Sequence, residues 1–288
     1  MGRGTKDNPY TRKDVLRLIR KNGGTAERLD LSNKFFEEDI KLRELNLRKI
    51  ILKRAHLEKA YLWGAHLEGA DLHDAHLEEA VLSDAHLEEA NLTEAHLEGT
   101  YLVRTKFEGA DLWLPKLSRD TRLWDVDWGS YILMAERMGR FIVAEDTYRQ
   151  LKVWYNNVGY YEIAGKFFYR EMEVRRKLLK WKRKPHLKLW NWALRILCGY
   201  GERPERVVIS AATIIFGLAL AYFLWGSFSS SSFADTLYYS VASFTALGYG
   251  QCAPTAEGWA KGMGAAEAVM GVSMMALFLV TFTRKMIR

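Results

Sequence analysis

Cysteine is scarce in this chain: Cys198 and Cys252 are the only two in 288 residues. That is too few for a disulfide framework. The opening stretch MGRGTKDNPYTRKD lacks an apolar core, so no cleavable signal peptide is expected. No nucleophile–base pair, no cysteine–histidine metal spacing and no phosphate-binding loop occurs, so neither enzyme activity nor a cofactor is expected. A nucleotide-binding fingerprint, an arginine-rich voltage-sensing helix and a calcium loop are missing too. Charge, by contrast, is present and unevenly spread. The net charge is +7, yet residues 55–112 hold thirteen acids against three bases, −10, which leaves +17 for the rest. An acidic body and a basic remainder present themselves to different partners.

A large apolar residue recurs every fifth position, from Leu42, Leu47, Leu52, Leu57 and Leu62 through Leu102, Phe107, Leu112 and Leu117. Two residues before most of these stands a small one: Ala55, Ala60, Ala65 and so on to Ala95, then Thr100, Thr105 and Ala110. A period of five fits neither the 3.6 of a helix nor the 2 of a strand. It requires a backbone that turns a corner every five residues, pointing one large and one small side chain inward each time. Such coils bury a core only by stacking. The steps ADLHD, ANLTE and GADLW resemble the pentapeptide-repeat family over residues 29–117. That resemblance implies a right-handed quadrilateral β-helix with about twenty residues per coil and about four coils. One extra residue separates Phe36 from Leu42 and predicts a small outward bulge. Ahead of the repeats, TRKDVLRLIRKNGG spaces Val15, Leu16, Leu18 and Ile19 as a capping helix that stops at Gly23-Gly24. Behind them, Pro115 and LWDVDWGSY break the period.

A second rhythm, AHLE, returns every ten residues at His56, His66, His76, His86 and His96. With about twenty residues per coil, His56, His76 and His96 stack on one face and His66 and His86 on the opposite one, about 4.8 Å apart. Stacked imidazoles repel once charged, which is the logic of a pH sensor. A solvated face copied by repeat duplication has the same pattern, and metal binding is a third reading.

From Ile132 to Lys184 the period becomes helical. Ala144, Tyr148, Leu151 and Tyr155 share one face, and after NNVG so do Ile163, Phe167, Glu171 and Val174, which predicts a helical hairpin. Glu171 and Glu173 lie among arginines and are expected to make surface ion pairs. A basic run (Arg175, Arg176, Lys177, Lys180, Lys182, Arg183, Lys184) ends at Pro185. The next segment, HLKLWNWALRIL, sets Lys188, Asn191 and Arg195 against Leu187, Trp190, Ala193, Leu194 and Leu197. An amphipathic, tryptophan-bearing helix beside a basic cluster fits the headgroup layer, so residues 175–188 are expected to meet anionic lipids and no nucleic acid partner is expected.

Val207 to Trp225 runs nineteen residues without a charge. At 1.5 Å each this is about 28 Å, enough for a bilayer core of about 30 Å. A second apolar run, Trp259 to Phe282, contains Lys261 and Glu267. No lysine or arginine lies between Trp225 and Lys261, while both outer flanks are basic, so both termini are expected in the cytoplasm of a two-span protein at the cell membrane. The two cysteines then fall on opposite sides. Between the spans, Ser231 and Ser232 can cap a short helix, Asp235 suits its first turn, and TLYYSVASFTA continues it into LGYG and QCAP.

Span, short helix, G-Y-G strip and span resemble the two-transmembrane potassium-channel pore, over residues 201–288. The resemblance implies a homotetramer in a lipid bilayer whose strip carbonyls hold monovalent cations, K+ and possibly Na+. Carried over by position, the family strip T-x-G-Y-G is Ala246, Leu247, Gly248, Tyr249 and Gly250, with Thr245 ending the pore helix. Ala246 lacks the hydroxyl that builds the innermost ion site, and Gln251 replaces the usual aspartate at the outer mouth. Glu267 resembles a carboxylate that braces the filter from behind; a cavity-facing charge is the alternative. Gly271 matches a gating hinge, and Met274, Phe278 and Phe282 either line the inner pore or serve packing. The expected order is a helical cap (1–28), pentapeptide-repeat β-helix (29–117), α-helical connector (118–185), interfacial helix (186–200) and all-α pore domain (201–288). The expected function is a tetrameric, potassium-permeable cation channel with a regulatory or assembly domain. The alternative is a membrane-tethered scaffold whose acidic body binds a protein.

Overall fold

The computed structural model describes residues 2–179, 185–225, 232–246 and 258–286. The chain divides into two units, Met1–Leu178 and Leu179–Arg288.

In the first unit the five-residue period has a backbone cause. A positive φ recurs at every fifth residue from Arg54 through Lys59, Gly64, Gly69 and Asp74 to Leu114. Each such left-handed residue turns one corner. None of these positions carries a β-branched side chain, which would be the most strained there. Between corners the chain is tied to its neighbours above and below. Leu57 donates its N–H to the His76 carbonyl (2.8 Å), His76 donates to Ala55 (2.9 Å), and Ala60 closes the corner on Leu57 (3.1 Å). Single parallel bridges at an offset of twenty, such as His56↔His76 and Tyr61↔Val81, repeat this pairing along the stack. Among the described residues no bridge extends into a longer strand.

The inward positions are filled as the period requires. The leucines from Leu57 to Leu102 and the alanines from Ala55 to Ala95 are at most 1% exposed. Each leucine so buried contributes about 1.5–3 kcal/mol relative to exposure. Where alanine gives way to Thr100 and Thr105, each hydroxyl donates to a carbonyl of the preceding coil, Leu77 and Leu82, both at 2.8 Å. The extra residue near Asp39 is absorbed at a corner, and the offset becomes twenty-one in Asp30↔Ile51 and Phe35↔His56. A second lengthened coil, unforeseen in the sequence, gives Tyr101↔Arg122 and Lys106↔Asp127, so bridging runs on past Pro115.

Helices cover both ends. Helix α1 (Arg12–Lys21) opens with a reciprocal capping box between Thr11 and Asp14 and buries Val15. At the other end come α2 (Met134–Arg137), α3 (Phe141–Asn157) and α4 (Tyr161–Leu178). The Trp128 ring lies 5.1 Å from that of Phe107, one of the large inward residues of the period, and donates to the Tyr155 hydroxyl at 3.0 Å. Tyr155 in turn donates to the Leu123 carbonyl at 3.0 Å. The hairpin also carries buried charge. Glu136 receives Arg170 at 2.6 Å, Lys177 at 2.8 Å and the Tyr148 hydroxyl at 2.8 Å. Glu171 meets Lys152 at 2.6 Å and Arg175 at 3.1 Å, but its side chain is 3% exposed, so the expected surface pair is an interior one. The sequence placed Glu171 among arginines and gave no sign of Lys152. It did not show that α3 closes over this carboxylate.

The second unit begins with α5 (Pro185–Cys198), a tight turn at Gly199–Gly201, and α6 (Pro204–Leu224). Next follow α7 (Phe233–Thr245) and α8 (Trp259–Met286). Leu194, Leu197 and Cys198 of α5 pack with Val207 and Met274, while Leu189, Trp190 and Trp192 stay exposed. Helix α7 is capped by Ser232, which accepts from the Ala234 N–H, and carries Asp235 in its first turn. Ser231, Cys252 and the bases Lys180, Lys182, Arg183 and Lys184 lie outside the described residues.

Candidate functional site

Helices α6 and α8 are each long and apolar enough to cross a membrane, over Pro204–Leu224 and Trp259–Thr283. Most of both is left unburied within one chain. A carboxylate in such a helix needs partners, since hydrocarbon offers it none. Glu267 on α8 is fully buried and finds them on both neighbouring helices. Tyr222 of α6 donates to its Oε2 at 3.1 Å, and Ser240 of α7 hydrogen-bonds its Oε1. Ser240 also reaches the Ile215 carbonyl at 3.0 Å, and Tyr239 donates to the Ala260 carbonyl at 3.3 Å. One acidic side chain thus fastens three helices together. Glu267 announced itself in the sequence. Its partners did not, although Tyr222 and Ser240 are hydroxyls at helical positions otherwise suited to apolar residues.

One turn further along α8, Gly271 lies against the end of α7. A Cβ built there would stand 1.7 Å from the Phe244 carbonyl oxygen and 2.6 Å from its carbon. The two backbones approach so closely only because glycine has no side chain. Just beyond, Thr245 ends α7 with its hydroxyl donating to the Val241 carbonyl at 2.7 Å, and Ala246 follows with φ at +53°. The next candidate residues, Leu247, Gly248, Tyr249, Gly250 and Gln251, lie outside the described residues. On the inner part of α8, Met274 is buried with Phe244, Val207 and Cys198, and Phe278 packs at the edge of that cluster. Phe282 is 44% exposed, its ring 5.5 Å from that of Phe278.

The histidines of the first unit form two columns. Phe35, His56, His76 and His96 succeed one another with ring centroids 3.9, 4.5 and 4.3 Å apart, and Lys116 ends the column. On the other face His66 and His86 are 4.7 Å apart, and Lys106 follows. Glutamates two residues on accept from the imidazoles: His56 to Glu58 at 2.8 Å, His66 to Glu68 and His76 to Glu78 at 3.1 Å. Burial pushes the Glu68 carboxyl up, but Arg48, its own backbone N–H and His66 outweigh that and draw it down to about 2.

Comparison with known proteins follows the same division. Residues 39–74, 50–88 and 80–113 match the family described as pentapeptide repeats, in eight copies. Residues 207–288 match the family described as ion channel. No curated protein matches the chain. Among solved structures, a pentapeptide repeat protein from the cyanobacterium Cyanothece 51142 is 30% identical, covering 35% of this chain and 64% of that one, with a TM-score of 0.30. HetL from Nostoc sp. strain PCC 7120, a pentapeptide repeat protein involved in heterocyst differentiation regulation, is 27% identical over 39% of this chain and 56% of its own, at a TM-score of 0.15. A pentapeptide repeat protein from the Arabidopsis thaliana thylakoid lumen is 24% identical over 42% and 79%, at 0.23. The chain therefore spans less than two thirds of the first two of these proteins. The chain thus carries pentapeptide repeats over residues 39–113 and, over residues 207–288, an ion-channel family match that takes in both membrane-length helices.

Proposed function

We propose that four copies of this chain assemble a cation-conducting pore, permeable to K+, in the cell membrane. The observation that carries this reading is the bracing of α7 between two membrane-length helices by Glu267, directly ahead of the sequence ALGYG. A helix ending at that point turns the negative end of its dipole toward a passing cation. In this reading Ala246 to Gly250 form the filter, Glu267 supports it, and Gly271, Met274, Phe278 and Phe282 belong to the moving inner helix. The apolar flanks of α6 and α8, Ile209, Phe216, Val269 and Leu279 among them, are exposed in one chain and are covered by lipid and by further copies. Both termini face the cytoplasm, and residues 175–188 meet anionic headgroups.

The repeats, in the same reading, are a right-handed quadrilateral β-helix that regulates or assembles the pore; the twenty-residue bridge offset supports this. Domain limits at 28, 185 and 200 go with it, and the bridging that runs on to Asp127 carries the repeat body past the limit expected at 117. The test is rubidium uptake into liposomes holding the purified chain, with K+ and Na+ as competitors. Uptake blocked by K+, and abolished by Gly248→Ala in a chain that still assembles, is the expected result. Tight liposomes without cation flux at any pH or voltage would leave the tethered scaffold as the function.

A further inference from the structure

Each AHLE step places an imidazole and, two residues later, a carboxylate on the outside of the coil. In one column the side chains converge. Glu78 Oε1 lies 3.1 Å from His76 Nδ1 and 3.1 Å from His96 Nδ1. Ligand atoms from all three residues fall within 4.8 Å of one another. With metal–ligand bonds of about 2.0–2.1 Å, the edge of a tetrahedral shell is about 3.3 Å. Two edges of the triangle are therefore close to that length already. The second oxygen, Glu78 Oε2, is buried and has no hydrogen-bond partner. We propose that His76, Glu78 and His96 bind one divalent transition-metal ion of the zinc class.

Two imidazoles and one carboxylate suit Zn2+ or Co2+ over Mg2+ or Ca2+, which take oxygen ligands. Without metal, Glu78 Oε1 accepts from His76 Nδ1–H and stands 3.1 Å from His96 Nδ1. An ion bound at both Nδ1 atoms requires the single N–H of each neutral ring to shift from Nδ1 to Nε2, with no net loss of a proton. At His96 that nitrogen has two neighbours: Lys116 Nζ, which donates to it at 2.6 Å, and Asp74 Oδ1 at 3.6 Å. The metal-bound ring must donate there instead. Asp74 is the acceptor that orients it, and Lys116 is the competitor that has to withdraw. His76 also belongs to a triad with Glu58 and His56, but its single Nδ1 serves one ion at a time. On the opposite face Glu68 Oε1 is taken by Arg48 at 2.7 Å and lies 3.9 Å from His86. A guanidinium stands there where the ion's charge would be, so that face is not the site.

The test is titration of the full chain in detergent with Co2+, followed by displacement with Zn2+. The expected result is a tetrahedral visible absorption band saturating at one ion per chain. Glu78→Gln and His96→Asn abolish it, His66→Asn leaves it intact, and Asp74→Asn weakens binding about tenfold. Lys116→Met tightens it, a gain that misfolding cannot mimic. The proposal is overturned by absence of the band, by a titration that Glu78→Gln leaves unchanged, or by a Lys116→Met chain that binds no more tightly than the parent.

Discussion

Replacing Gly271 by alanine adds one methyl group where α8 meets the end of α7. That methyl would stand 1.7 Å from the Phe244 carbonyl oxygen. Ordinary contact needs about 2 Å more, and no flexible side-chain tip is there to yield, because the atom met is backbone. The end of α7 has to retreat while Ser240 and Tyr239, one turn back, hold it to Glu267, Ile215 and Ala260. Overpacking of this kind costs about 1–3 kcal/mol, and the displaced residues, Thr245 and Ala246, lead straight into the proposed filter. Gly262 on the same helix is the control, since a Cβ there meets nothing within 4 Å. Gly262→Ala should leave stability unchanged or raise it by up to about 1 kcal/mol through helix propensity. The assay pairs thermal unfolding in detergent with rubidium uptake. Gly271→Ala is expected to lower the unfolding midpoint and cut uptake at least tenfold. A hinge role alone predicts unchanged stability with altered opening. Parental stability and parental uptake together would refute the packing argument.

Other outcomes follow from the same geometry. Tyr222→Phe removes one donor from the buried Glu267 and should cost about 1–3 kcal/mol in thermal stability; an unchanged midpoint would show that the bond is not a brace. Glu94→Val puts a β-branched residue at φ +57° and should destabilise the repeat unit by about 1–2 kcal/mol in urea unfolding. In the folded protein the Glu68 carboxyl is drawn down to about 2, below the ordinary glutamate value of 4.5. Its contribution is therefore complete above about 4.5 and fades as pH falls toward 2. Glu68→Gln should lower the urea midpoint at pH 7 and converge with the parent in acid, whereas a gap independent of pH would contradict the assignment.

Much of the repeat unit was legible because its rule is local. Every fifth residue turns a corner, so one leucine and one alanine per step announce the core without reference to distant sequence. The lengthened coil at Tyr101↔Arg122 was hidden because Thr121 takes over an inward polar role from outside the leucine register, donating to the Leu97 carbonyl at 2.7 Å. Buried Glu136 was missed for a different reason. Its partners Arg170 and Lys177 come from a helix more than thirty residues away, and only tertiary packing assembles them. In the second unit, helix lengths, the Ser232 cap and the isolated charge of Glu267 were readable from composition. The closeness of Gly271 to Phe244 was not, because glycine at a crossing and glycine at a hinge are the same letter.

The offset of twenty residues between bridged coils makes this body a ruler with fixed divisions. Every rung is one residue wide, and each coil is bound to the next by the same set of bonds. Copying a block of twenty residues inserts a complete turn without disturbing the pairing on either side. Each such copy moves the far end outward by about 4.8 Å. An extra residue, as near Asp39, is absorbed sideways at a corner while the coils stay paired. The reach of the acidic body beyond its capping helix therefore changes in whole steps, and gene duplication sets it one step at a time.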